Sequence, residues 1–207
     1  MPNRATPRLK RTVDVVGSAA ALIVLSPLFF AISVTLLACQ GWPLLYRQER
    51  AGHSGRLFRI YKFRTMSNAT GPNGQLLPDG ARITRVGRWL RRTSLDELPE
   101  LVNVLAGQMS LVGPRPLPAA YLPLYDDNQR RRHEVRPGLT GLAQIHGRNS
   151  LGWEERFTYD VYYVDHQSLL FDLKILLNTV PVVVRGRGLN AQDGVISEPF
   201  RGSQPLG

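Results

Sequence analysis

Cysteine is almost absent from this sequence: Cys39 stands alone among 207 residues, which excludes an internal disulfide framework. Histidine is scarce as well. His53, His133, His146 and His166 share no H-x-x-x-H or Cys-paired spacing, so no zinc site is assigned. Gly-x-x-x-x-Gly-Lys is missing, which excludes a P-loop enzyme. Acidic residues are in short supply, with 16 Asp and Glu against 26 Lys and Arg, for a formal net charge of +10. That balance calls for an anionic partner: nucleic acid, acidic lipid or a phosphorylated substrate. No helix-turn-helix, RNP or zinc-finger pattern occurs, so nucleic acid is not the expected partner. No internal repeat is evident. A hydrophobic content of 43% excludes a disordered chain, and the length suits one domain plus an appendage.

Charge is missing altogether between Val15 and Tyr46, VVGSAAALIVLSPLFFAISVTLLACQGWPLLY. As one helix, Val15 to Ala38 would reach roughly 36 Å, against a bilayer core of about 30 Å. Ser26-Pro27 interrupts it near the middle, where proline removes a hydrogen bond and kinks the chain. Each arm is then about 18 Å long, enough to reach the mid-plane and no further. Arg4, Arg8, Lys10 and Arg11 precede the segment, and Arg47, Arg50, Arg56, Arg59, Lys62 and Arg64 follow it. Basic flanks favour the cytoplasmic side, so a re-entrant hairpin satisfies both ends and a straight span only one. The straight span and a lipoprotein-type leader ending at Leu36-Leu37-Ala38-Cys39 are the alternatives. The apolar run exceeds the usual ~7–15 residues of a leader.

Beyond the apolar segment, residues 44–50 and 57–66 read as short strands. Alternation in the second puts Phe58, Ile60, Lys62, Arg64 and Met66 on one face, which ends either as solvated basic tips or as a pair of phosphate ligands. Residues 68–80 read as loop. Residues 84–92 suit a short helix with Val86, Trp89 and Leu90 inward, leaving Arg85, Arg88 and Arg92 as a solvated or anion-binding face. Residues 95–106 place Leu98, Leu101, Val102 and Leu105 on one helical face, with Gly107 as terminator. Residues 168–184 form a second apolar helix, against the core or in a membrane interface. The tail from Arg185 is polar and Gly-rich.

The chemistry concentrates in SLDELPELVNVLAGQMSLVGPRP, residues 94–116. Ser94 and Glu97 have capping-box spacing, although Pro99 also suits a helix start of its own. Either way Asp96 and Glu97 lie at a helix N-terminus among arginines, where phosphate binds and where cations keep carboxylates ionised. An ionised Asp can attack phosphorus, and a second carboxylate can hold Mg²⁺. The bland alternative is a helix cap. Arg115 is pinned between Pro114 and Pro116, so its guanidinium loses little entropy on gripping a diphosphate; a rigid turn with a surface arginine is the alternative. Arg136-Pro137-Gly138 and Gly147-Arg148-Asn149 repeat the theme. Asp160, among the aromatics of FTYDVYY, suits orienting an arginine or binding a hydroxyl better than reacting, with a buried ion pair as the plainer reading.

KRTVDVVG, the Ser26-Pro27 break, YKFRTM, SLDELPELVNVL, MSLVGPRP, VRPGLTGLAQIHGRN and FTYDVYYV together resemble the small monotopic phosphoglycosyl transferases of bacterial glycan assembly. The resemblance runs from Lys10-Arg11 to about Gly186. It implies transfer of a sugar 1-phosphate from a UDP-sugar to undecaprenyl phosphate, with release of UMP. By position, Asp96 is the implied nucleophile and Glu97 the implied Mg²⁺ ligand. Lys62, Arg115 and Arg148 match positions near the phosphates, and Ser26-Pro27 matches the break of a re-entrant membrane helix. The candidate substrate-binding set is Lys62, Arg64, Arg88, Arg115, Pro116, Arg136, Arg148 and Asp160. The expected architecture is mixed α/β and helix-rich. A basic N-terminus and re-entrant helix (1–43) precede a small catalytic domain with short strands and interfacial amphipathic helices (44–186), then a polar tail (187–207). Membrane phospholipid is an expected partner, and the cytoplasmic face of the bacterial inner membrane the expected location. The family's short forms suggest an N-acetylated amino sugar in the donor.

Overall fold

The computed structural model describes residues 7–147, 150–184 and 199–202. Two helices lead the chain, α1 (Pro7–Val24) and α2 (Ser26–Gln40), bent by 60° at their junction. The cause is Pro27, which has no N–H for the Ile23 carbonyl. Ser26 repairs the loss, its hydroxyl donating to that carbonyl at 2.8 Å. The helical ladder resumes on both sides, Leu25 to Ala21 and Phe29 to Leu25, each at 2.9 Å. Among the described residues no single helix is long and apolar enough to cross a membrane; the bent pair together has the length and composition.

The first half of α1 is tied to the body of the molecule. Arg11 donates to the carbonyls of Val104 and Leu105 at 2.6 and 2.8 Å, and Lys10 pairs with Asp172 at 2.6 Å. Asp14 is buried and accepts from the Ser110 hydroxyl and the Leu111 amide, both at 3.0 Å. Residues that flank the apolar run in the sequence are therefore structural ties as well as surface charge.

Two small sheets follow. Strands β1 (Leu45–Ala51) and β2 (Leu57–Phe63) pair antiparallel, Leu45 opposite Phe63 and Ala51 opposite Leu57. Strands β3 (Ser110–Val112) and β4 (Gly138–Thr140) pair parallel. Between and around them lie α3 (Asp79–Arg82), α4 (Arg85–Arg92), α5 (Glu100–Leu105), α6 (Asp127–Arg130), α7 (Leu142–His146), α8 (Trp153–His166) and α9 (Leu169–Val184). The result is mixed α/β and helix-rich. The core is divided: Ile32, Leu36, Phe63 and Leu90 join α2 to β2 and α4, while Val112, Leu142, Tyr163 and Ile175 join β3 to α7, α8 and α9. The outer face of α9 leaves Leu170, Leu173, Leu177 and Val180 exposed.

Three local expectations change. The expected helix over 95–106 breaks at Pro99. A 3₁₀ turn (Leu95–Glu97) comes first and α5 starts afresh, so its buried face is Glu100, Leu101, Asn103 and Val104, with Val102 and Leu105 outside. Ser94 makes no side-chain cap; it sits in the left-handed region at φ 56°, a conformation rare outside glycine. In α4, Trp89 is exposed and Gly87 takes the inward place, because any Cβ there would meet the Thr65 carbonyl oxygen at 1.9 Å. Thr84 caps this helix, accepting from the Gly87 amide at 2.9 Å.

Replacing Asp14 tests the tie between α1 and β3. Asp14→Ala leaves the Ser110 hydroxyl and Leu111 amide buried without their acceptor, which costs about 1–3 kcal/mol. Thermal unfolding in detergent should show a lowered Tm with the helical signal retained.

Candidate active site

The 3₁₀ turn carries Asp96 and Glu97 into the space between β2 and the loop after β3. The side chain of Asn103 helps to set this geometry. Its carbonyl accepts from the Tyr61 amide at 3.1 Å and its amide donates to the Arg59 carbonyl at 2.7 Å, so α5 pairs with the free edge of β2. Lys62, from the same stretch of strand, reaches the carboxylates. Its ammonium lies 2.6 Å from Glu97 Oε1 and 3.2 Å from Glu100 Oε1.

Arg115 comes from the other side. Gly113 and Gly138 allow the two loops behind it to touch, since a Cβ on Gly138 would lie 2.1 Å from the Gly113 nitrogen. The Gly138 amide donates to the Pro114 carbonyl and the Gly113 amide to the Thr140 carbonyl, both at 2.9 Å. Held this way, Arg115 takes both oxygens of Glu97, with Nη1 3.3 Å from Oε2 and Nη2 on Oε1. Its side chain remains 43% exposed, so it also presents a face to an incoming ligand.

The two neighbouring carboxylates therefore differ. Glu97 carries two cations, and Arg115 and Lys62 hold its pKa well below the usual carboxylate range despite burial. Asp96 is buried without either direct pair; burial and the negative charge of Glu97 push it up to about 6, against the pull of Lys62, Arg91 and Arg115. The expectation that nearby cations lower both carboxylates thus holds for Glu97 and is corrected for Asp96. Glu100 is the third member, pushed up to about 7 by burial against the attraction of Lys62.

The candidate set divides in the same way. Lys62 and Arg115 converge on the dyad, with the buried Pro116 stiffening the loop. Arg64 does not join them. Its guanidinium binds the carbonyls of Gln40, Gly41 and Trp42, because the C-terminus of α2 needs those acceptors satisfied. Arg136 donates to the Gly107 carbonyl at 3.0 Å, past the end of α5. Arg88 is exposed on α4, whereas Arg91 is the cation of that helix whose charge acts on Asp96; its Nε donates to the Thr65 hydroxyl at 2.9 Å. Asp160 lies behind the site. Its Oδ2 takes Arg132 at 3.0 and 2.8 Å, and Arg132 Nη2 donates to the Arg115 carbonyl at 2.7 Å. Asp160 is thus engaged in a buried ion pair with Arg132, behind the Asp96–Glu97 pair. Arg148 lies outside the described residues.

Sequence reasoning missed Glu100, Arg91 and Arg132. Glu100 and Arg91 looked like ordinary surface charges of amphipathic helices, and Arg132 like one of a solvated RRR run. A usable signal existed only for Asp160, a lone carboxylate among aromatics that required a cation. For a metal ion the donor set is thin. Among the described residues no three His, Cys, Asp or Glu side chains converge to hold one. Glu97, whose oxygens already carry Lys62 and Arg115, would offer a single carboxylate to Mg²⁺, an ion that usually takes only one or two from a protein.

Residues 5–186 match the family described as bacterial sugar transferase. The chain is 48% identical over 196 residues to the uncharacterized sugar transferase EpsL of Bacillus subtilis, covering 94% of this chain and 96% of that one. It is 41% identical over 196 residues to the exopolysaccharide production protein ExoY of Sinorhizobium fredii, covering 86% of this chain and 87% of the relative. It is 39% identical over 205 residues to the undecaprenyl-phosphate galactose phosphotransferase of Salmonella typhimurium, covering 91% of this chain and 43% of that longer protein.

The pair behind Arg115 gives the site its sharpest test of stability. Asp160→Ala strands a buried guanidinium, and breaking such a pair costs about 3–5 kcal/mol. Denaturant unfolding should show a loss of that order, well above that of any exposed ion pair such as Arg131–Glu134.

Proposed function

The chain belongs to the bacterial sugar transferase family, and from that premise we propose that it moves a sugar 1-phosphate from a UDP-sugar to undecaprenyl phosphate, releasing UMP. The observation that carries this reading is the division of labour in the Asp96–Glu97 pair. Glu97 gathers Lys62 and Arg115 to one point, where a diphosphate can take over their charge. Asp96 is left beside them, half-titrated near pH 6 and therefore ionised at neutral pH. The name of the Salmonella relative, which specifies undecaprenyl phosphate and a sugar phosphotransfer, supports the substrate class.

In the proposed first step a carboxylate oxygen of Asp96 attacks the β-phosphorus of the donor. The bond from that phosphorus to the bridging oxygen breaks, and UMP leaves with the electron pair. Arg115 and Lys62 balance the charge that builds on the phosphate oxygens. In the second step a phosphate oxygen of undecaprenyl phosphate attacks the same phosphorus, Asp96 leaves, and the products are the polyprenyl-diphosphate sugar and the free enzyme. Neither step needs a proton, which fits a site built from cations rather than from a general acid. Mg²⁺, where bound to the donor diphosphate, would neutralise phosphate oxygens, with Glu97 the chain's ligand to it.

A polyprenyl phosphate presents its head at a membrane surface, so the site must lie there too. The 60° bend at Ser26-Pro27, the basic residues on both flanks and the exposed apolar side chains Ile23, Val24, Phe30 and Val34 support a re-entrant hairpin entering from the cytoplasmic face. The exposed leucines of α9 suit the same phospholipid interface.

The test is UMP release, in detergent with Mg²⁺, from a panel of UDP-sugars that includes galactose, glucose and N-acetylated amino sugars, each with and without undecaprenyl phosphate. One donor should support turnover, and Asp96→Asn should abolish it. Because the nucleophile must be ionised and its pKa is raised by burial and by Glu97, activity should hold above about pH 6. Below it, activity should fall about tenfold per pH unit. Silence across the panel with folded protein would favour a membrane-bound, lipid-binding scaffold instead.

A further inference from the structure

Phe200 lies beyond the family-matched residues 5–186, yet it is 4% exposed. Its ring stacks on Tyr125, with centroids 5.8 Å apart and planes at 24°, and meets Phe157 edge-on at 5.0 Å. Tyr121 and Trp153 close the other sides at 5.7 and 5.5 Å. The Phe200 amide donates to the Tyr121 hydroxyl at 3.2 Å, so the backbone of this segment is tied down as well.

The rings that Phe200 presses on are the ones that hold Arg132. The guanidinium carbon of Arg132 lies 5.8 Å from the centroid of Tyr125 and 5.7 Å from that of Phe157. Its Nη1 faces the Tyr125 hydroxyl at 3.4 Å. On its polar side Arg132 binds Asp160 and the Arg115 carbonyl. A buried ion pair fixes geometry only while water is kept from it, and aromatic walls do that. Phe200 is the outer layer of those walls.

We propose that Phe200 is a positioning residue for Arg115. By sealing Tyr125 and Phe157 over the Arg132–Asp160 pair, it fixes the carbonyl of Arg115 and so aims its guanidinium at the donor diphosphate. The kinetic consequence rests on the proposed role of Arg115; the structural consequence does not. Phe200 thereby contributes to substrate binding without touching substrate.

The experiment compares the full chain with Phe200→Ala and Phe200→Leu in two measurements. Hydrogen exchange of the peptide spanning residues 110–117 should accelerate several-fold in Phe200→Ala, with peptides from α5 unchanged, and Phe200→Leu should restore most of the protection. The donor KM should rise on the order of tenfold in Phe200→Ala with kcat within about threefold, and Arg115→Ala should abolish any further effect of Phe200→Ala on KM. Unchanged exchange in 110–117, or equal acceleration across the chain, overturns the proposal. So do additive effects with Arg115→Ala. If Phe200→Ala fails to fold, Phe200→Val, which removes the ring and leaves less bulk than leucine, carries the same comparison and should show faster exchange in 110–117 than Phe200→Leu. If the unsubstituted protein releases no UMP from any donor, the reading of the reaction falls, and the exchange measurement alone decides the role of Phe200.

Discussion

A carboxylate taken out of water stays ionised only where cations or hydrogen-bond donors match it, and Glu97 is matched by cations. It draws Lys62 from β2 and Arg115 from the loop after β3, two residues far apart in the chain, onto the same oxygen atom, Oε1. The turn, the strand and the arginine loop meet because of this match. Its second effect falls on Asp96. With the nearest cations engaged by its neighbour, Asp96 feels burial and a negative charge, and its acidity weakens. One backbone turn thus gives two adjacent carboxylates different properties, as the proposed chemistry requires: one group to gather the cations and one to attack.

The remainder of the fold keeps that arrangement rigid. Asn103 fixes α5 to β2, and so fixes the dyad relative to Lys62. The Gly113–Gly138 contact sets the arginine loop against β4, and the Arg132–Asp160 pair holds the Arg115 carbonyl from behind. Asp14, on the first helix, binds β3 immediately before that loop. The bent apolar helix pair is therefore connected to the scaffold of the candidate site by hydrogen bonds within its first turns.

Much of this was legible in the sequence, and the exceptions have physical causes. Ser26-Pro27 announced the bend because proline acts locally. Asp96, Glu97 and the Pro-Arg-Pro stretch pointed to the candidate site because adjacent carboxylates at a predicted helix N-terminus are followed closely by an arginine restrained by proline on both sides. The phase of α5 was misread because periodicity assumes an unbroken helix, and Pro99 restarts it. The partners of Arg64 and Arg136 were not legible, because an arginine's partner is a tertiary fact; both donate to backbone carbonyls. Arg132 was invisible for the converse reason: it sits in a run of three arginines that reads as solvated surface, and only packing shows which of the three is buried. Phe200 stands in a tail whose polar, Gly-rich composition carried no motif.

The central claim is that Asp96, and not Glu97, takes the phosphoryl group. The most direct measurement is the intact mass of the protein after brief exposure to its UDP-sugar donor without any polyprenyl phosphate. The account predicts an added mass equal to one sugar phosphate, mapped to Asp96 and discharged by undecaprenyl phosphate. An adduct on Glu97, or UMP formed in a single turnover with the protein mass unchanged, would contradict it.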